Sequence, residues 1–208
     1  MERLFLLAIL AAASAVAQVQ HQHHAKHMDA ESYARVLEDP SRDAWQKPHA
    51  VLQTLALKPT EVVADIGAGT GYFARRFAHH VATVYAVDID PKLLEIASQK
   101  APANLKTVLA SPDDPKLAKA SVDTIFICNV LHHIDNRPAY LETLRSALKP
   151  GGRIVVLEFH KKELPVGPPA EMKIAEPALI QEFRGAGFEV ARRHDILPYQ
   201  YFLEFRSR

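Results

Sequence analysis

The sequence predicts an α/β protein whose core is a doubly wound, mostly parallel sheet, and two runs of residues carry this prediction. Val62–Ile66 is apolar or small except for Asp65, which is typical of a buried parallel strand. Residues 83–88 form a second such run, which also ends on an acid, Asp88. Asp88 lies 17 residues after Gly71, the interval that one helix and a turn occupy between parallel strands.

Composition limits the class of protein. The chain has 208 residues, of which 48% are hydrophobic, and this is enough for one α/β core. The net charge is +1, from 25 basic and 24 acidic side chains, so we expect no nucleic-acid partner. The single cysteine, Cys128, excludes an intramolecular disulfide and a cysteine zinc cluster. Its place at the end of an apolar run favours a packed thiol over a nucleophile.

Three glycines, Gly67, Gly69 and Gly71, follow the first predicted strand. Glycine allows a sharp turn and a close approach of the backbone to a ligand. Residues 72–78 are predicted as a helix whose first N–H groups face a ligand carboxylate or phosphate. A dinucleotide fingerprint needs a third glycine where this chain has Tyr72, so NAD is a weaker alternative, as is a turn that binds no ligand.

The pattern acid-x-G-x-G-x-G resembles the first motif of the class I S-adenosylmethionine (SAM)-dependent methyltransferases. The acid that ends the next strand resembles their second motif, and an acid there is placed to accept hydrogen bonds from both ribose hydroxyls. In that family the following residue lies against the adenine. The resemblance implies SAM as the cofactor, with these candidate cofactor-binding residues: Asp65, Gly67, Ala68, Gly69, Gly71, Asp88 and Ile89.

The third predicted strand, residues 105–109, is followed by a less typical segment. The family often has an acid here that reaches the adenine amino group, whereas this chain has Ser111 and then the run Pro-Asp-Asp-Pro. Asp113 is the favoured adenine contact and Ser111 the alternative. The prolines are also consistent with a turn that has no ligand.

The fourth predicted strand, residues 122–128, leads directly into Asn129. Ligands of doubly wound sheets bind beyond the carboxyl ends of the strands. The stretch 130–133 resembles the motif after strand four in ubiquinone-biosynthesis-like methyltransferases, which passes near the methionine end of SAM, so Asn129 is a candidate cofactor contact. His132 and His133 are candidate general bases because imidazole titrates near neutral pH. At most one is expected to face the acceptor, and the alternative is a helix-start residue bonded to backbone.

The remaining residues complete, by the same resemblance, a Rossmann-like sheet of seven strands, mostly parallel with an antiparallel C-terminal strand. The predicted elements are a helix over 137–149, a glycine turn over 149–152, a strand over 153–159, a proline-rich loop over 161–170, a helix over 176–185 and an antiparallel pair over 188–190 and 201–205. Glu158 and His160 come at the end of the fifth strand and are placed to line the acceptor cavity.

The first 17 residues are predicted as a secretory signal peptide, ahead of a domain over 43–208. Residues 4–13 are an almost unbroken apolar run, and Ala15-Val16-Ala17 has the small-x-small pattern of a cleavage site. We therefore expect export, periplasmic or secreted, without stable membrane association. One alternative is an uncleaved membrane anchor formed by residues 4–17, although the apolar run is short for a membrane span. The other alternative is a buried N-terminal helix.

Residues 18–42 are predicted as a histidine-rich tail and a helical arm. Four histidines are weak metal-ligand candidates because their spacing matches no closed zinc site, and a solvated tail is favoured: His21, His23, His24 and His27. In many small-molecule methyltransferases the segment before the first strand folds over the cofactor. Tyr33, Trp45 and Gln46 are therefore candidate lid residues, and simple packing of Trp45 against the core is the alternative.

These patterns together predict an enzyme that transfers a methyl group from SAM to a small-molecule acceptor, at oxygen, sulfur, carbon or a metalloid. The reaction is an in-line displacement, so positioning is expected to supply most of the rate enhancement. The alternative is an exported ligand- or metal-binding protein that keeps the fold without catalysis.

Overall fold

The computed structural model describes residues 29–99 and 101–208, and in it a single seven-stranded sheet forms the centre of the protein. The strands are β1 (Val62–Ile66), β2 (Thr83–Asp88), β3 (Leu105–Leu109), β4 (Val122–Cys128), β5 (Leu148–Phe159), β6 (Phe188–His194) and β7 (Gln200–Ser207). Their order is β3-β2-β1-β4-β5-β7-β6. Only β7 runs antiparallel to its neighbours, β5 and β6, so the predicted fold class is confirmed.

Helices cover both faces of the sheet and precede its first strand. The α-helices are α1 (Ala30–Leu37), α2 (Arg42–Gln46), α3 (Pro48–Leu55), α4 (Ala74–Phe77), α5 (Pro91–Ser98), α6 (Arg137–Ala147) and α7 (Glu176–Gly185), and Leu131–His133 and Ala170–Met172 form short 3-10 helices. Side chains cap several of them. The Asp90 carboxylate, for example, accepts from the Lys92 N–H at 2.8 Å at the start of α5, where Pro91 follows as the first helical residue.

Two elements differ from the sequence-based expectation. The helix after the glycines begins at Ala74 rather than at residue 72, because the chain is still turning at Gly71, which has φ 84° and donates its N–H to Ala68 O at 2.8 Å. The glycine turn predicted over 149–152 lies inside β5. Leu148 pairs there with Val122 of β4, and an irregularity in the register takes up the glycines.

The core consists of two apolar clusters, one on each face of the sheet. Leu141, Leu144 and Phe183 of α6 and α7 belong to the first, and Val51 and Phe77 of α3 and α4 to the second. The central strands are buried on both faces, as parallel strands covered by helices must be. Strand order reverses between β1 and β4, so the carboxyl ends of these two strands flank the crevice in which such sheets bind ligands.

The arm formed by α1 and α2 is attached to the carboxyl edge of the sheet. Glu38, the C-cap residue of α1, pairs with Arg75 of α4 at 2.7 Å, and the Tyr72 hydroxyl donates to Asp43 of α2. Trp45 packs on Phe159 at the end of β5, with ring centroids 5.6 Å apart. No helix in residues 29–99 and 101–208 is long and apolar enough to cross a membrane. The predicted signal peptide and histidine tail lie outside the described residues.

Candidate functional site

The glycine loop between β1 and α4 has a backbone that only glycine tolerates well. Gly67, Gly69 and Gly71 have φ of 66°, 55° and 84°. A Cβ on Gly67 would lie 2.3 Å from Cγ2 of Val130, and one on Gly69 would lie 2.9 Å from Cδ1 of Leu37. The loop therefore passes close to both the segment after β4 and the arm, and its backbone stays accessible from the crevice only without side chains.

Asp88 joins the end of β2 to this loop. Its Oδ2 accepts the Gly69 N–H at 2.7 Å, and its Oδ1 accepts the Asp90 N–H at 3.0 Å. Burial raises the pKa of Asp88, whereas the backbone N–H groups of Asp90, Gly69 and Ile89 oppose that rise. A carboxylate oxygen can accept more than one hydrogen bond, so each oxygen keeps capacity for a ligand hydroxyl.

Asp65 lies beneath the loop rather than along its rim. The side chain is buried, and the backbone N–H of Ala74, the first residue of α4, opposes the effect of burial on its pKa. Burial raises the pKa of Asp65 to about 8. Asp65 belongs to β1, just before the glycine loop, and its direct contact with a cofactor stays a prediction. The same is true of Ala68, whose N–H donates to Val87 O at 3.0 Å.

Ile89 follows Asp88 and is 59% exposed, which is unusual for a large apolar side chain next to a buried strand. It borders a cavity of about 550 Å³ that Asp29, Asp90 and Lys92 also line. An exposed apolar surface here suits a flat ring.

Asp113 is exposed, and its Oδ1 accepts the Ser111 hydroxyl at 2.8 Å, so both candidate adenine contacts lie together in one turn.

A chain of amides links the arm to the segment after β4. Gln46 of α2 is fully buried and its Nε2 donates to Gln200 Oε1 at 2.6 Å, and Gln200 Nε2 donates to Asn129 Oδ1 at 2.8 Å. Asn129 has φ 59°, a left-handed conformation that asparagine tolerates better than most residues. Gln200 was not predicted, because a single glutamine at the start of a strand carries no sequence signal.

His132 and His133 occupy different surroundings in the 3-10 helix after β4. The His132 side chain is 4% exposed, and its Nδ1 lies 2.9 Å from Oε2 of Glu158, which is 1% exposed. His133 is exposed, and partial burial of its ring together with the neighbouring His132 lowers the pKa of His133. The two ring centroids are 4.1 Å apart. Glu158 lies near the end of β5 as expected, but its side chain is buried against His132, and its place in the lining of an acceptor cavity stays a prediction.

Arg42 was missed by sequence reasoning, since nothing in its spacing distinguishes it from a surface arginine. Its guanidinium lies 3.9 Å from the centroid of the Tyr72 ring, and the charge counteracts the effect of burial on the pKa of Asp65 and of Cys128.

Burial raises the pKa of the Cys128 thiol to about 12, which agrees with a packed thiol. The residues that the structure describes contain no cluster suited to a metal ion.

Comparison with known proteins agrees with this geometry. Residues 64–156 match the model of the methyltransferase domain. The demethylmenaquinone methyltransferase of Tropheryma whipplei is 36% identical over 117 residues, which cover 55% of this chain and 48% of that protein. The ubiquinone/menaquinone biosynthesis C-methyltransferase UbiE of a Marinomonas species is 29% identical over 157 residues, covering 72% of this chain and 61% of that protein.

A solved structure is similar over most of the chain. It is a SAM-dependent methyltransferase from Aquifex aeolicus, with a TM-score of 0.80 and 26% identity, covering 86% of this chain and 98% of that one. The chain spans about half the length of the first curated relative it matches. Residues 64–156 are therefore similar to a methyltransferase domain, and the sheet has the Rossmann-like fold of the Aquifex aeolicus SAM-dependent methyltransferase.

Proposed function

We propose that the protein transfers the methyl group of SAM to a small-molecule acceptor. The observation that carries the proposal is the junction of Asp88 with the glycine loop, where one carboxylate oxygen accepts the Gly69 N–H at 2.7 Å. This contact places the acid that suits a ribose directly beside a bare backbone turn that suits the rest of the nucleoside.

The residues of the site fit SAM. Asp88 has hydrogen-bonding capacity left on both oxygens for the ribose hydroxyls. Ile89 offers an exposed apolar surface for the adenine, with Asp113 and Ser111 as candidate partners of its amino group. Asn129, at the end of β4, is the candidate for the methionine end. SAM supplies a methyl group bonded to a positively charged sulfur, and the protein's part is to orient it and the acceptor in line.

The choice of a small molecule rests on charge and on the relatives. The net charge of +1 provides no field for a nucleic acid. Two curated relatives are named for quinone-pathway methylation, and their partial coverage makes the acceptor of this chain a matter for experiment.

Calorimetric titration of the full chain with SAM, and with NAD as the control ligand, tests the proposal. SAM is expected to bind and NAD is not. Asp88→Ala and Gly69→Val should abolish SAM binding, while Glu189→Ala, which removes an exposed carboxylate on β6, should leave it unchanged. Normal SAM affinity in both site variants would contradict the proposal. Binding without turnover on a broad acceptor panel would favour a binding protein that keeps the fold.

We also propose, as a separate point, that residues 1–17 direct export and are removed. The support is the apolar run over 4–13 followed by Ala15-Val16-Ala17. Sequencing of the protein recovered from the cell envelope and medium should find an N-terminus at Gln18. An intact N-terminus in the membrane fraction would instead indicate an anchor.

A further inference from the structure

The pair formed by His132 and Glu158 is unusual because both side chains are almost completely buried, at 4% and 1% exposed. Burying a carboxylate is costly unless it is paired and hydrogen-bonded. His132 is the partner: its Nδ1 lies 2.9 and 3.2 Å from the two carboxylate oxygens. When Glu158 is ionised its carboxylate can only accept hydrogen bonds, and the proton of this pair then lies on Nδ1.

This assignment decides the chemistry of the other ring nitrogen. With a proton on Nδ1, a neutral imidazole has an unprotonated Nε2 that can accept a proton. Nδ1 therefore holds the ring in place and Nε2 is left for a substrate. Glu158 can also stabilise the positive charge that appears on the ring once Nε2 is protonated.

The pair also has the right place in the fold. His132 is three residues beyond Asn129, at the carboxyl edge of β4, and Glu158 is the penultimate residue of the neighbouring parallel strand β5. The reversal of strand order that opens the crevice lies between β1 and β4, so the pair is on the β4–β5 side of that crevice, away from Asp88. The side away from the nucleoside is where an acceptor has to approach.

Other ionisable groups near the pair leave this arrangement intact. Glu158 acts electrostatically on Arg137, Tyr201, Cys128 and His133. Arg137 is engaged by Glu182 at 2.6 Å, and the Tyr201 hydroxyl donates to Ile174 O at 3.2 Å. Burial raises the pKa of Tyr201 and of Cys128, so both stay protonated at neutral pH.

We propose that His132 is the general base for an acceptor that carries a protonated hydroxyl group, and that Glu158 is its positioning residue. The inference rests on the proposed function and narrows its acceptor to a hydroxyl compound. The acceptor O–H bond breaks and its proton goes to Nε2 of His132. The oxygen electron pair forms the new bond to the methyl carbon, the carbon–sulfur bond of SAM breaks, and the sulfur leaves as a neutral thioether. The imidazolium then releases its proton to water.

Two probe acceptors separate this role from a structural one. Catechol is largely protonated at neutral pH and needs a base, whereas thiophenol is largely ionised and does not. His132→Gln should lower kcat for catechol by roughly 10²–10⁴-fold and leave kcat for thiophenol within about threefold. His80→Gln, which replaces an exposed histidine just after α4, is the matched control and should change neither rate by more than about threefold. A structural role would lower both rates together.

Glu158→Gln is the test of the positioning role. It should lower kcat for catechol by about tenfold or more, with the SAM affinity and the thiophenol rate retained. In the nitrogen-15 spectrum of histidine-labelled protein, the resonances lost in His132→Gln should be those of an Nδ1–H imidazole, and Glu158→Gln should alter them.

The outcomes distinguish the inference from the proposed function. A protein that fails to bind SAM overturns both. A protein that binds SAM and methylates thiophenol, but no member of a panel of phenols and hydroxy acids, overturns the inference alone. The same holds if His132→Gln methylates catechol at the wild-type rate, or if His132 carries its proton on Nε2. Should His132→Gln fail to bind SAM because it does not fold, Glu158→Gln and the wild-type spectrum decide.

Discussion

Replacement of Gly67 by alanine tests whether the glycine loop is shaped by the segment that follows β4. Gly67 has φ 66°, so any other residue bears a backbone cost of roughly 1–2 kcal/mol. The new Cβ would also lie 2.3 Å from Cγ2 of Val130, closer than two carbons can approach. Overpacking of this kind costs about 1–3 kcal/mol, so the expected total loss in the free energy of unfolding is about 2–5 kcal/mol.

Gly151→Ala separates the two contributions. Gly151 has φ 79°, a similar backbone strain, but a Cβ there would meet nothing within 4 Å. Gly151→Ala is therefore expected to cost only roughly 1–2 kcal/mol, and the difference between the two variants measures the contact with Val130. Val130→Ala removes both Cγ atoms, so the double variant Gly67→Ala/Val130→Ala should recover part of that difference.

Urea denaturation of the four variants and the wild-type chain gives the free energies, and calorimetry gives the SAM affinity. Gly67→Ala should lose SAM binding because the loop must move away from Val130, while Gly151→Ala should keep it. Equal losses of stability in Gly67→Ala and Gly151→Ala, together with unchanged SAM affinity in both, would refute the reasoning.

Three further predictions concern Cys128, Asp65 and Gln46. The Cys128 thiol, with its pKa raised to about 12, should react with iodoacetamide at pH 8 at least a hundredfold more slowly than free cysteine, and an equal rate would mean that it is accessible and ionised. Because the pKa of Asp65 is raised to about 8 in the folded protein, folded chains bind more protons than unfolded ones between about pH 4 and 8, and the free energy of unfolding should fall as pH rises through that window. Asp65→Asn should flatten this decline, and the same pH dependence of the free energy of unfolding in the variant and the wild type, measured by urea denaturation, would contradict the shift. Gln46→Ala leaves Gln200 without its buried partner and should lower the free energy of unfolding by about 1–3 kcal/mol. Gln53→Ala, on the exposed side of α3, should change it little, and equal effects of the two variants would show that the amide chain does not stabilise the fold.

Several features of the protein follow from local sequence. The apolar runs that end on Asp65 and Asp88 predict two buried strands, and the glycines between them predict the turn, because burial on both faces and positive φ select residue types directly. The antiparallel C-terminal pair and the helices of the second half were predicted from the resemblance to the methyltransferase family. Boundaries were less well predicted where two interactions compete, as at Leu148, which ends a helical pattern but pairs with β4.

The partners of the polar side chains were decided by tertiary structure. His132 and Glu158 are 26 residues apart and meet because β4 and β5 are parallel neighbours whose carboxyl ends coincide. Gln46 and Gln200 are 154 residues apart and meet because the arm returns to the same edge. The local sequence alone thus identified the candidate residues of the site, since backbone geometry and burial select particular residue types at the strand ends and in the turn. Which histidine is held, and by which carboxylate, depended on distances between strands that no local pattern encodes.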